Sequence, residues 1–195
     1  NYATTTLNST PNGIINNYAD LTFTAGSVDG TINNYKEVFF THTGDISLNS
    51  SSLVNNNCKM EFNSKVNINV TLNNDSYMNF KTGFHINSSG NLVLAPGSLT
   101  DVTGGSITVD GKIKNTLNGY ARFDIASVAS LGNMNATPAF IGKIDINTNS
   151  TINSNKINSD VVINANTSIA ATACNLERGI PACNDNALNL NLVAT

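Results

Sequence analysis

The chain has no tryptophan, two histidines, three cysteines and four prolines in 195 residues, and only 12% of its positions are charged. Each shortage removes a class of function. His42 and His85 have no cysteine or carboxylate beside them at ligand spacing, so neither builds a metal site of the usual kinds. Ten Lys and Arg against 13 Asp and Glu, net −3 with no basic cluster, give no electrostatic footprint for nucleic acid or an anionic membrane, so both are excluded as primary partners and no membrane insertion is expected. No apolar run approaches the roughly 18–20 residues of a membrane span, and no basic-then-apolar leader starts at Asn1. The expectation is an extracellular or cell-surface chain whose signal peptide has been removed.

Catalytic patterns are equally scarce. No Gly-x-Ser-x-Gly elbow, phosphate loop or dinucleotide fingerprint occurs. The acids are scattered rather than clustered as a polysaccharide lyase or hydrolase needs. Asp101 and Asp110 are the pair that could face one groove, yet both sit in glycine-rich turn contexts. His85, between Phe84 and Ile86, alternates onto an outer strand face as a solvated histidine. No catalytic, cofactor-binding or metal-binding residue is assigned, no cofactor is implied, and the chain reads as non-enzymatic.

What is abundant is asparagine, 35 positions, together with Ser and Thr, so the polar surface is built from amides and hydroxyls. Apolar residues alternate with polar ones in short bursts, clearest from Lys59 to Lys114: Met60/Phe62, Val66/Ile68/Val70/Leu72, Met78/Phe80, Phe84/Ile86, Leu92/Leu94 and Ile107/Val109. Period two over four to eight residues, punctuated by Asn, Gly and Ser, predicts half-buried strands joined by tight turns. Only 126–131 is compatible with a short helical turn, inside an irregular stretch from Leu117 to Lys143.

The bursts recur at roughly 17–21 residues, the length of one solenoid coil. Three ladders follow: Ile46, Val66, Ile86, Ile107, Ile125, Ile144, Ile163; Leu53, Leu72, Leu92, Ile113, Leu131, Ile152, Ile169; and Met60, Phe80, Leu99, Tyr120, Phe140, Ile157. Three ladders imply three sheets. Asp45-Ile46, Asp124-Ile125 and Asp145-Ile146 read as equivalent corners, and stacked Asn side chains bond to one another along such a coil. The expected fold is all-β, a right-handed parallel β-helix with rungs of about 20 residues. The alternative is an Ig-like or jelly-roll sandwich completed by a donated strand, in which residues 1–26 form an N-terminal segment exchanged between subunits and 27–195 a single β-rich domain.

Pro11-Asn12-Gly13-Ile14, followed by alternating strands and the run GSLTDVTGGSITVDGKI from Gly97 to Ile113, resembles the bacterial β-solenoid surface adhesins: autotransporter passengers and filamentous-haemagglutinin-type exoproteins. Members of the second group carry Asn-Pro-Asn-Gly-Ile near the mature N-terminus, and Thr10 stands here in place of the first Asn. The resemblance implies an extracellular adhesive or scaffolding role. A self-associating surface structural protein is therefore expected, with host or environmental glycans as further partners. A pilus-type fibre subunit and a polysaccharide-binding or polysaccharide-degrading β-helix are the alternatives.

Two modification patterns complete the reading. Cys174 and Cys183 bracket a Gly- and Pro-containing loop that favours a disulfide between them, leaving Cys58 as a buried small apolar residue or an intermolecular thiol. Asn-x-Ser/Thr occurs at Asn8, Asn49, Asn69, Asn74, Asn87, Asn135, Asn149 and Asn166, candidate N-glycosylation acceptors in an exported chain.

Overall fold

The structure is a computed structural model describing residues 2–49 and 51–164. The alternation seen in the sequence becomes short strands that coil through three parallel sheets. Sheet A holds β1 (Thr5–Leu7), β3 (Leu21–Phe23), β6 (Glu37–Phe40), β9 (Lys59–Phe62), β12 (Tyr77–Phe80), β15 (Leu99–Val102), β18 (Ala121–Ile125), β21 (Ile144–Asn147) and β22 (Val162–Asn164), in that spatial order. Sheet B holds β2 (Ile14–Asn17), β5 (Thr31–Asn34), β8 (Leu53–Asn56), β11 (Thr71–Asn74), β14 (Asn91–Leu94), β17 (Lys112–Asn115) and β20 (Phe140–Gly142). Sheet C holds β4 (Ser27–Val28), β7 (Ile46–Leu48), β10 (Val66–Ile68), β13 (Gly83–Ile86), β16 (Ser106–Val109) and β19 (Ser130–Met134). Each strand pairs in parallel with its counterpart one coil away, so the fold is a β-solenoid of about seven turns and not a sandwich.

One rung is too thin to bury anything alone, and stacking at about 4.8 Å shares a single core along the axis. Phe23, Phe40, Phe62 and Phe80 form a fully buried column with ring centroids 4.8, 4.5 and 5.1 Å apart. Each ring removed from water contributes roughly 1.5–3 kcal/mol, and stacked pairs about 0.5–1.5 kcal/mol more. Corners stack too: a Cβ at Gly111 would collide with the carbonyl of Gly90, and one at Gly90 with that of Ile68, which is why both turns need glycine.

The structure redraws the expected ladders. The true column of sheet B runs Ile15, Ile32, Val54, Leu72, Leu92, Ile113, Phe140, in steps of 17, 22, 18, 20, 21 and 27 residues. Unequal rungs carry a fixed 20-residue period out of register. Leu53 faces outward and Val54 takes its place; Leu99 lies opposite Tyr77 on the outer face; Tyr120 is exposed. Ile125 and Ile144 belong to sheet A and Leu131 to sheet C. In sheet C, Val66 is followed by Phe84 rather than Ile86. Ile169 lies outside the described residues. The three Asp-Ile corners are not equivalent, since Asp124 pairs with Asn147 and Asp145 with Arg122 inside sheet A, while Asp45 precedes sheet C. The stretch expected to be irregular supplies three strands, β18, β19 and β20; Ala126–Ala129 closes as a tight turn, and the pairing of β19 with β16 shifts register between Ile107 and Val109.

Candidate functional site

Alternation hands every second residue of each strand to the solvent side, so the functional surface of this fold is its walls. The three walls differ in chemistry.

Sheet A carries the charge. One outward row reads Glu37, Lys59, Tyr77, Leu99, Arg122, Asp145; the other Phe39, Glu61, Asn79, Asp101, Asp124, Asn147. At one end Lys59 bridges Glu37 at 3.2 Å and Glu61 at 3.4 Å and lies 5.0 Å from the Phe39 ring centroid, while Lys81 meets Glu61 at 3.0 Å. At the other end two carboxylates stack. Arg122 Nε donates to both oxygens of Asp124 at 2.8 and 3.0 Å, and Asn147 Nδ2 donates to Oδ1 at 2.5 Å. Asp101 sits one rung away in register, 8% exposed, and is hydrogen-bonded to Tyr77. Burial, and then the Asp124 charge, push the Asp101 carboxyl up to about 7. Burial and Asp101 raise the Tyr77 phenol as well, and burial raises Asp145. Asp124 is itself only 7% exposed, so both carboxyls of the pair are largely covered by their neighbours on this wall.

Sheet B carries amides, in two ladders of opposite polarity. In the inner one Asn17 Nδ2 donates to Asn34 Oδ1 at 2.9 Å, Asn34 to Asn56 at 2.8 Å and Asn56 to Asn74 at 2.9 Å, all fully buried. Its direction is set by the backbone, because the same Nδ2 groups reach carbonyls of the next corner, Glu37 O, Lys59 O, Tyr77 O and Leu99 O in turn. Where Leu94 interrupts the ladder, the buried Thr100 hydroxyl accepts from Asn74 at 2.9 Å. In the outer ladder Asn33 donates to Asn16 at 2.9 Å, Asn55 to Asn33 at 2.7 Å and Asn73 to Asn55 at 2.7 Å. Beside it Tyr2, Tyr18 and Tyr35 stack with centroids 5.0 and 4.9 Å apart. The expected stacking of Asn is thus present twice.

Sheet C is narrow, with Ser27, Ser47, Asn67, His85 and Thr108 outward. The corner after it repeats an amide or acid in successive rungs: Asn49 donates to Asp29, Asn87 to Asn69, and Asn135 to Asp110 at 2.6 Å. His85 Nε2 lies 2.8 Å from Asp110 Oδ2, and these hydrogen bonds hold the Asp110 carboxyl below the usual range. Sequence reasoning placed His85 outward but gave it no carboxylate. The pairing arises from adjacent rungs, 25 residues apart, and alternation within one strand carries no sign of it. Asp101 and Asp110, the pair that could have faced one groove, occupy different walls: Asp101 lies within a strand of sheet A and Asp110 at the corner after sheet C.

Among the described residues no group of three or more His, Cys, Asp and Glu is arranged to hold a metal, and no helix is long and apolar enough to cross a membrane. Cys58 is fully buried and its sulfur is not free; Cys174, Cys183 and Asn166 lie outside the described residues. Of the glycosylation candidates, Asn8, Asn135 and Asn149 are exposed and Asn49, Asn69 and Asn87 half-buried in the corner ladder, while Asn74 is completely buried in the inner ladder. Compared with protein-family models, curated proteins and solved structures, the chain matches none of them, and the likeness to surface adhesins rests on its residues alone.

Proposed function

We propose that this chain is a non-enzymatic surface structural protein, a stiff solenoid that self-associates through its strand edges and presents its walls for adhesion outside the cell. The observation that carries this reading is the doubled amide ladder of sheet B. Buried amides bonded both to each other and to the backbone fix the stacking of consecutive rungs, which suits a spacer rather than a mobile catalyst. The carboxylates of sheet A that would suit hydrolysis are withdrawn from solvent.

Self-association follows from the terminal strands. β1 and β2, outermost among the described strands of sheets A and B, read Thr-Thr-Leu and Ile-Ile-Asn-Asn and carry none of the charges that ordinarily blunt an edge. A second copy docking there continues both sheets in register. The test is sedimentation velocity over a hundredfold concentration range, with T6K/I14K as the edge-blocked variant; both positions are exposed. Concentration-dependent polymers in the parent and monomers in the variant are expected. A parent that stays monomeric at the highest concentration refutes self-association.

A further inference from the structure

The outer face of sheet B combines two properties: it carries a hydrogen-bonded amide ladder and few charges. From β2 to β14 its two outward columns are Ile14, Thr31, Leu53, Thr71, Asn91 and Asn16, Asn33, Asn55, Asn73, Val93, with no charge until Lys112 and Lys114 in β17. We propose that this face is a binding site for a neutral polysaccharide whose chain lies along the solenoid axis. The inference rests on the adhesive part of the function proposed above.

The outer amides are already oriented. A side-chain amide offers two N–H donors and two lone pairs. Asn33 and Asn55 each spend one N–H and one lone pair on their neighbours in the ladder, leaving one of each for a ligand on these two rungs. Donor and acceptor side by side, repeated at about 4.8 Å, match a chain of hydroxyl groups, each of which both donates and accepts. Because the ladder bonds already hold the rotamers, little side-chain entropy remains to be lost on binding. Thr31 and Thr71 add hydroxyls in the neighbouring column, and the tyrosine stack flanks the amides with phenol edges, neutral groups that are apolar in body and polar at the tip.

The alternatives fit less well. A nucleic acid or acidic glycan needs cations that five successive rungs do not supply. A protein partner of ordinary affinity needs a central cluster of large apolar anchors, whereas here the exposed ones are separated, Ile14 and the tyrosine stack at the first rungs and Leu53 at 38% exposure two rungs on from Ile14. Each rung contributes little, and affinity comes from engaging several rungs at once.

The experiment is affinity gel electrophoresis of the full chain in dextran, laminarin or xyloglucan, with pull-down on cellulose and chitin and with polygalacturonate as the acidic control. Two variants charge the face on different strands, L53K/N55K on β8 and T71K/N73K on β11. S47K/T108K places the same charge on sheet C as a control. Folding of each is checked by circular dichroism and urea midpoint. The expected result is retention on at least one neutral polysaccharide, unchanged by 0.5 M NaCl. Both sheet B variants should weaken it at least tenfold, and the sheet C variant should not. No retention on any neutral polysaccharide, equal loss in the sheet C variant, or salt-sensitive retention on polygalacturonate overturns the assignment. Thermal hysteresis of ice growth without polysaccharide retention also overturns it and gives the face to an ordered water lattice. A parent that polymerises but binds no polysaccharide refutes this site while leaving self-association intact; one that binds but stays monomeric does the reverse.

Discussion

Replacing Asn56 by alanine tests the inner ladder at its most connected member. The Asn56 amide donates to Asn74 Oδ1 at 2.9 Å, to Tyr77 O at 2.6 Å and weakly to Cys58 O at 3.4 Å, and it accepts from Asn34 at 2.8 Å. Some partners keep other bonds: Asn34 Nδ2 retains Lys36 O and Lys59 O, and Asn74 Oδ1 retains the Ser76 N–H. At about 0.5–1.5 kcal/mol net per hydrogen bond, with about 1 kcal/mol more for the small polar cavity, the cost is about 3–5 kcal/mol. Asn55→Ala, one residue away on the outer ladder, loses two amide bonds that water replaces, so it should cost about 0.5–1 kcal/mol. Urea unfolding followed by circular dichroism gives both values, provided the slopes agree. Asn56→Asp sharpens the test. It sets an acid against the oxygens of Asn74 and Tyr77, which raises its folded-state pKa, so the variant should regain stability as pH falls from 7 towards about 4, the protonated acid donating again. Equal costs for Asn55→Ala and Asn56→Ala, or a cost below about 1 kcal/mol at Asn56, would refute the claim that the buried amides lock the rungs.

Three further outcomes are expected. Phe62→Ala removes the middle of the phenylalanine column and should destabilise by about 3–5 kcal/mol in the same urea titration, with the outward neighbour Glu61→Ala changing far less. The Asp101 carboxyl, raised to about 7 when folded, holds its proton in the native state between about pH 4 and pH 7 while the unfolded chain releases it. Stability should therefore fall as pH rises through that window, a trend visible in Tm and flattened by Asp101→Asn; a flat parent profile contradicts the burial of that carboxyl. On expression in a glycosylating host, peptide mapping should find Asn8 modified and Asn74 unmodified in folded protein, because a glycan on Asn74 would require its amide to leave the inner ladder.

Alternation and spacing were enough to reach the all-β solenoid, its three sheets and its stacked asparagines. Period two is a local property, and Leu72, Leu92 and Ile113 keep nearly equal spacing through the regular middle of the chain. The sequence could not say which residues share a column once rungs depart from 20 residues, as between Ile113 and Phe140, because one residue of slip turns a side chain from core to solvent. That is how Leu53, Leu99 and Tyr120 came to be read as core. Likewise Asp101 beside Asp124, and His85 beside Asp110, are neighbours only across rungs, at sequence distances that vary from coil to coil. Composition determined the material of the surface, neutral amides and hydroxyls with few charges. The tertiary stacking alone decided how it is sorted, the Asp101–Asp124 pair onto sheet A and an amide face, uncharged in its strands from β2 to β14, onto sheet B, since register along the axis is set by corner length and core packing rather than by the pattern within any one strand.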